Sequence, residues 1–212
     1  MKWERQPLGA LQTNSFICVN DQGKGVVIDP GGEGDRLIKH INDRGIDVEG
    51  ILLTHAHFDH IGALEEVRDA FRAPVYLHEL EAAWLGDDSK NGSGLFMGIE
   101  PVKCRPADQL IKEEGSLTVG SFTFEVFHTP GHSPGSVSYY VPEENVVFSG
   151  DVLFRGGIGR TDLPGGDHDT LMKTIHQRLL TMPDTTIIAN GHGPETTVGE
   201  EMTSNPFLNG FG

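Results

Sequence analysis

Apolar residues recur along this chain in short runs cut by glycine and proline, with 28 glycines in 212 residues doing most of the cutting. The stretches NSFICVN (14–20) and GVVID (25–29) are rich in β-branched and aromatic residues, and the second stops at Pro30-Gly31-Gly32, which predicts a strand hairpin. Leu37, Ile38 and Ile41 take helical spacing up to Gly45, and GILLT (50–54) returns to strand. Ile61, Leu64, Val67 and Phe71, with Glu65 and Arg68 among them, predict a helix before the strand PVYLH (74–78). The second half opens on strands: SLTV (116–119), FTFEVFH (122–128), SVSYYV (136–141) and NVVFSG (145–150). One amphipathic helix then gathers Leu171, Met172, Ile175, Leu179 and Met182 on one face, ahead of the strand TTIIAN (185–190). This order predicts an α/β chain of mixed sheets with helices outside, forming one domain over residues 1–212.

Composition narrows the classes. A chain with 37% hydrophobic and 22% charged residues is ordinary globular material, long enough for a sizeable core. The net charge of −15 repels phosphate backbones, and no Lys/Arg-rich stretch offsets it, so nucleic acid is not an expected partner. The acidity reads as a solvated, self-repelling surface. No apolar run reaches the roughly eighteen residues of a membrane span, and MKWERQPLGAL lacks the apolar centre of a secretory signal. A cytoplasmic protein with no membrane partner is therefore expected. Cys18 and Cys104 lie far apart without a C-x-x-C pattern and read as inert packing thiols.

The chemistry is concentrated in four places. THAHFDH (54–60) packs three histidines and an aspartate directly behind a strand. His55 follows GILLT, His132 follows FTFEVFHTPG, Asp151 follows NVVFSG and His192 follows TTIIANG. Side chains just past strand ends converge at one rim of a sheet, so the four segments are expected to share a site. Two metal ions about 3.5–4 Å apart need roughly seven protein ligands and a shared oxygen, and imidazole with carboxylate suits zinc, iron or manganese. His55 and His57, two apart on an extended turn, suit one ion, with His132 completing it. Asp59 and His60 suit the second, with His192, and Asp151 has two oxygens with which to bridge. Neutral imidazoles with two carboxylates leave net positive charge on the ions, so a shared water would ionise near neutral pH and act as nucleophile. Asp59 or Asp151 would hold its proton.

Taken together, THAHFDH, TPGHSPGS (129–136), SGD (149–151) and NGHGP (190–194) resemble, in that order and over nearly the whole chain, the metallo-β-lactamase-fold hydrolases. The resemblance implies a four-layer αβ/βα sandwich with a binuclear site in the cleft between two sheets, and the same seven ligands. FRGGIGRTDLPGGD (154–167) is similar to the glyoxalase II group, which hydrolyses thioesters such as S-lactoylglutathione, and PLGALQTNSF and NPFLNGFG resemble its small single-domain branch. That group carries a basic residue against the carboxylate of the thiol carrier, and Arg160 holds the matching position. The larger members add a helical C-terminal domain; only 20 residues follow His192, so no such domain is expected here. The resemblance thus implies a thioesterase acting on S-(2-hydroxyacyl)-thiol conjugates with two divalent ions, zinc first. HxHxDH and GRTD also resemble the iron-dependent persulfide dioxygenases, which use one metal. A lactonase with the same ligands and a non-catalytic binding module are further alternatives, the last opposed by the complete ligand set. A β-lactamase proper is disfavoured because a bridging Asp151 departs from the usual lactamase ligand patterns.

Other residues read as structural. His40 and His176 fall on predicted helices and His78 at a strand end, while His128 either orients His132 or is simply buried. Of Tyr139 and Tyr140, adjacent on a strand, one should face the core. GGIG (156–159) serves equally well as a tight loop or as a close approach for substrate. The stretch 85–101, with Leu95, Phe96 and Met97, reads as a packed surface loop in preference to a mobile flap.

Overall fold

The hairpin predicted from NSFICVN and GVVID forms the second and third strands of a six-stranded sheet in the computed structural model, which describes residues 1–209. The last residues of NPFLNGFG, 210–212, lie outside the described residues. The chain divides into two compact units, residues 1–112 with 118–123, and 113–117 with 124 onward.

In the first unit the sheet order follows the chain: β1 (Lys2–Leu8), β2 (Thr13–Val19), β3 (Lys24–Ile28), β4 (Asp47–Leu52), β5 (Val75–His78) and β6 (Gln109–Ile111). β1, β2 and β3 pair antiparallel, whereas β3 through β6 run parallel. Parallel neighbours need crossovers, which α1 (Gly34–Asp43) and, after the short α2 (Phe58–Ile61), α3 (Leu64–Phe71) supply. Val27, Ile51, Val75 and Leu77 pack with Leu37, Ile41, Leu64 and Val67 in one buried cluster. Two departures from the hydrophobic pattern are instructive. β1 is a half-buried outer strand whose sequence KWERQPL has no clean alternation; seven paired residues along β2 hold it in the sheet. The single helix predicted after THAHFDH is broken, because the Ala63 N–H bonds the Pro30 carbonyl (2.9 Å) and α3 starts afresh.

The second sheet contains β7 (Gly115–Val119), β8 (Phe122–His128), β9 (Val137–Val141) and β10 (Val146–Gly150), then, beyond a small hairpin of β11 (Leu153–Phe154) and β12 (Gly157–Ile158), β13 (Ile187–Asn190) and β14 (Thr196–Thr197). Its order is β14-β13-β10-β9-β8-β7, with β10 and β13 parallel. Tyr139 is fully buried and Tyr140 is not, as strand alternation requires. Val147, Leu153 and Ile188 pack against Leu171, Ile175 and Leu179. α4 (His168–Gln177) is capped by Asp167, whose carboxylate accepts from Thr170 N at 2.7 Å and is held below the usual range by the Thr170 side chain first and by that backbone bond second. The helix stops at Gln177, short of the predicted Met182: Pro183 pushes Met182 into extended backbone, and Leu179–Thr181 tighten into a 3₁₀ turn. Leu179 and Met182 stay buried, so the apolar face continues beyond the helix. α5 (Val198–Ser204) brings in fully buried Glu201, which accepts from Gly156 N (2.9 Å), Asn205 Nδ2 (2.7 Å) and Thr196 Oγ1 (2.6 Å) and so clamps the β11–β12 hairpin. No helix among the described residues is long and apolar enough to cross a membrane.

Gly131 tests the tightness of this packing. Its φ is 128°, and a Cβ there would stand 2.3 Å from the Leu171 backbone. Gly131→Ala is expected to destabilise by about 3 kcal/mol, combining strain with overpacking. A urea midpoint within error of the parent would show that α4 yields freely.

Candidate metal centre

In the first unit the strand order itself gathers the ligand turn. β3 and β4 are parallel neighbours, so Asp29 at the end of one and Thr54-His55 past the end of the other emerge at the same edge. Asp29 is buried and sits at φ 50°, a left-handed conformation that Asp tolerates better than most residues. Its Oδ1 accepts from Thr54 N (2.7 Å), and its Oδ2 from Thr54 Oγ1 (2.6 Å) and His60 Nδ1 (2.9 Å). Since the Thr54 hydroxyl donates to Asp29, its oxygen accepts from His55 Nδ1 at 3.1 Å. One carboxylate thereby fixes two imidazoles, directly and through a hydroxyl, and turns the Nε2 of each away from it. Asp59 is held by Thr13 Oγ1 (2.7 Å on Oδ2), with His60 Nε2 3.6 Å from the same oxygen. The rings of His55 and His57 meet edge-on at 4.7 Å, and those of His55 and His60 lie 4.1 Å apart.

The second unit repeats the arrangement. β8, β10 and β13 end at the same edge, and Gly191 N bonds the Gly150 carbonyl (2.9 Å), so Asp151 and His192 leave neighbouring strands side by side. His132 Nδ1 donates to the Arg160 carbonyl (2.8 Å), which leaves its Nε2 3.6 Å from Asp151 Oδ2. His192 Nε2 stands 3.4 Å from that same oxygen. Gly159 is required here, because a Cβ would lie 1.9 Å from the Asp151 carbonyl and 3.2 Å from His132 Cβ. The GGIG stretch is thus partly a close-packing device around two candidate ligands.

These donors fit a metal. Two ligand atoms each about 2.1 Å from a tetrahedral ion stand about 3.4 Å apart, and the imidazole-to-carboxylate separations are 3.6, 3.6 and 3.4 Å. His55, His60 and His132 each have Nδ1 bonded, the usual support of a ligating Nε2. The first unit gathers His55, His57, Asp59 and His60; the second gathers His132, Asp151 and His192.

The side chains of the remaining candidates have other partners. The Arg160 guanidinium is bound two-pronged by Asp162 (2.7 and 2.8 Å), half exposed, and the pairing with Arg160 brings the Asp162 carboxyl down to about 2. His128 Nε2 bonds the Pro134 carbonyl (2.9 Å) and so braces the loop that carries His132. His40 pairs with Glu4, His176 with the Met172 carbonyl, and His78 accepts from Leu80 N. Cys18 is buried, and burial pushes the Cys104 thiol up to about 12, in keeping with inert thiols. Sequence reading passed over Asp29, Thr13 and the Arg160 carbonyl. Only Asp29 left a signal, as a carboxylate closing the strand GVVID; a backbone carbonyl leaves none.

The description "Metallo-beta-lactamase superfamily" matches residues 8–192 as a family model. A probable metallo-hydrolase of Bacillus subtilis, YqgX, is 55% identical over 100% of this chain and 99% of its own length. The hydroxyacylglutathione hydrolase GloC of Haemophilus influenzae is 39% identical over 99% of each. Among solved structures, BLEG-1 B3 metallo-β-lactamase is 54% identical with a TM-score of 0.96, covering 98% of this chain and 100% of that one. TTHA1623, solved in a di-iron-bound form, is 42% identical with a TM-score of 0.86, covering 97% and 100%.

Asp29→Asn keeps the shape but not the charge behind His55 and His60. It is expected to weaken zinc binding about 10–100-fold, measured by competition with a chromogenic chelator. Unchanged affinity would remove Asp29 from the centre.

Proposed function

Because the chain belongs to the metallo-β-lactamase superfamily and shares its metallo-hydrolase character, we propose that it is a thioesterase that cleaves S-(2-hydroxyacyl) conjugates of a small thiol. The observation that carries this reading is the pair of imidazole–carboxylate sets, with the Nδ1 atoms of His55, His60 and His132 tied back, in a chain 39% identical over 99% of its length to a hydroxyacylglutathione hydrolase. His55, His57, Asp59 and His60 of the first unit, and His132, Asp151 and His192 of the second, are the proposed ligands of two divalent ions. Zinc is the proposed metal, since its softness suits a thiolate leaving group; iron is the rival, because the relative TTHA1623 was solved with two irons.

When bound, such ions supply a Lewis acid for the acyl oxygen and a water acidic enough to react near neutral pH. The protein's part is orientation and proton handling. Asp29 and Thr54 keep the Nδ1–H tautomer of His55 and His60, so that both present Nε2 as neutral ligands. Asp151 Oδ2, within 3.6 Å of both His132 and His192 Nε2, suits a shared ligand position. Asp59, fixed by Thr13, or Asp151 would take the proton of the attacking water. Arg160 binds the carboxylate of the thiol carrier by exchanging its two hydrogen bonds with Asp162 for two with substrate.

A second reading, β-lactam hydrolysis, is favoured by the 54% identity to BLEG-1. It calls for the same attack on an acyl carbon with an amine in place of a thiol as leaving group. Parallel assays separate the two: thiol release from S-lactoylglutathione against ring opening of a cephalosporin, with oxygen uptake on glutathione persulfide as a third arm. Thiol release with at least tenfold higher kcat/KM than ring opening is expected; oxygen uptake without thiol release would overturn the hydrolase.

His57→Ala or Asp151→Ala is expected to lower kcat by on the order of 10³ with the thermal midpoint largely kept. Near-normal turnover in metal-loaded variants would remove the centre. Arg160→Ala should raise KM about tenfold with kcat nearly unchanged, since a carrier contact remote from the acyl carbon binds ground and transition states alike.

A further inference from the structure

The segment 85–101 is fastened at its base and bare at its tip. Asn91 is fully buried; its carbonyl accepts from Phe58 N (2.9 Å), its amide donates to the Val102 carbonyl (2.8 Å), and its Oδ1 accepts from Ser93 Oγ (2.7 Å). Just upstream, buried Glu81 accepts from Ala56 N (2.6 Å) and the Trp84 ring lies 5.8 Å from that of His57. Ala56, His57 and Phe58 of the ligand turn are therefore each touched from this side. The tip is the opposite: Leu95, Phe96 and Met97 are 50%, 37% and 103% exposed, three large apolar residues in a row. Slackness does not explain them. Gly94 N bonds the Asp88 carbonyl (2.8 Å), Leu95 N bonds that of Gly92 (3.0 Å) and Ile99 N that of Phe96 (3.3 Å), so the tip backbone is tied.

The tip is also continuous with the ligand turn. The Phe96 ring lies 5.9 Å from that of Phe58, the residue between His57 and Asp59. Gly92, at φ 88°, sits where the two rings meet, and a Cβ there would be 3.6 Å from the Phe58 ring. Large apolar side chains exposed together on a tied backbone mark a place where an apolar group comes to cover them.

We propose that Phe58, Phe96 and Met97 form an acyl-recognition wall, which selects thioesters by the hydrocarbon length of the acyl group. This rests on the thioesterase reading above. The thiol carrier of that reading offers a carboxylate, for which Arg160 is the proposed partner, whereas the wall offers ring faces, hydrocarbon and a thioether, none of them charged. An acyl chain lying on it displaces water at a gain of up to about fourfold in binding per methylene covered.

The test uses the metal-loaded full chain and S-acylglutathiones carrying lactoyl, butanoyl, hexanoyl and octanoyl groups. For the parent, kcat/KM is expected to rise with chain length. The hexanoyl-to-lactoyl ratio should fall about threefold in Met97→Ser, which removes a fully exposed side chain, and about tenfold in Phe96→Ser/Met97→Ser, mainly through KM. A ratio equal to the parent's in both variants overturns the wall, as does a parent dimer that Met97→Ser converts to monomer in sedimentation velocity, which would give the tip to a second copy of the chain. Release without length dependence sinks this inference alone. No thiol release from any member, lactoyl included, sinks the thioesterase reading beneath it.

Discussion

The candidate chemistry of the first unit depends on one buried carboxylate at the end of a parallel strand. Asp29 makes three hydrogen bonds within 2.9 Å, two to Thr54 and one to His60, and through Thr54 it reaches His55. A charge buried this fully is tolerated only when its lone pairs are satisfied. Here the groups that satisfy it are those that must be aimed. Stability and ligand geometry are therefore one constraint: the strand end cannot keep its carboxylate without also fixing two imidazoles. The second unit reaches the same end with a backbone carbonyl, that of Arg160, behind His132.

Each sheet delivers its ligands by the same logic. Strands that run the same way end at the same edge, and loops leaving that edge carry the polar residues the interior cannot hold. Glycine makes the close approaches possible, as Gly159 does against the Asp151 carbonyl and His132. The helices contribute packing: Leu37 and Ile41 of α1, and Leu171 and Ile175 of α4, are completely or almost completely buried.

Much of this was legible in the sequence. Continuous apolar runs named β3, β4 and β10, because strands buried on both faces leave no polar alternation to confuse them. The seven candidate ligands were legible because ligand chemistry demands rare residue types, and each follows such a run. What escaped was set by tertiary contact. β1 is held by pairing to β2 despite its polar sequence, and the helix after the ligand turn is interrupted by a bond to Pro30. The Arg160 side chain was legible as a cation in a matching position, but its engagement by Asp162, two residues on, was not. Resemblance to the superfamily foretold the family and the fold; periodicity alone reached only mixed sheets with outer helices.

The central proposal is that the protein is a two-metal thioesterase. The most direct measurement is a titration of zinc into metal-free protein, with bound metal and thiol release from S-lactoylglutathione followed in the same samples. The account predicts negligible release without metal and a plateau at two ions per chain. Full activity at one ion per chain, or in metal-free protein, would contradict it.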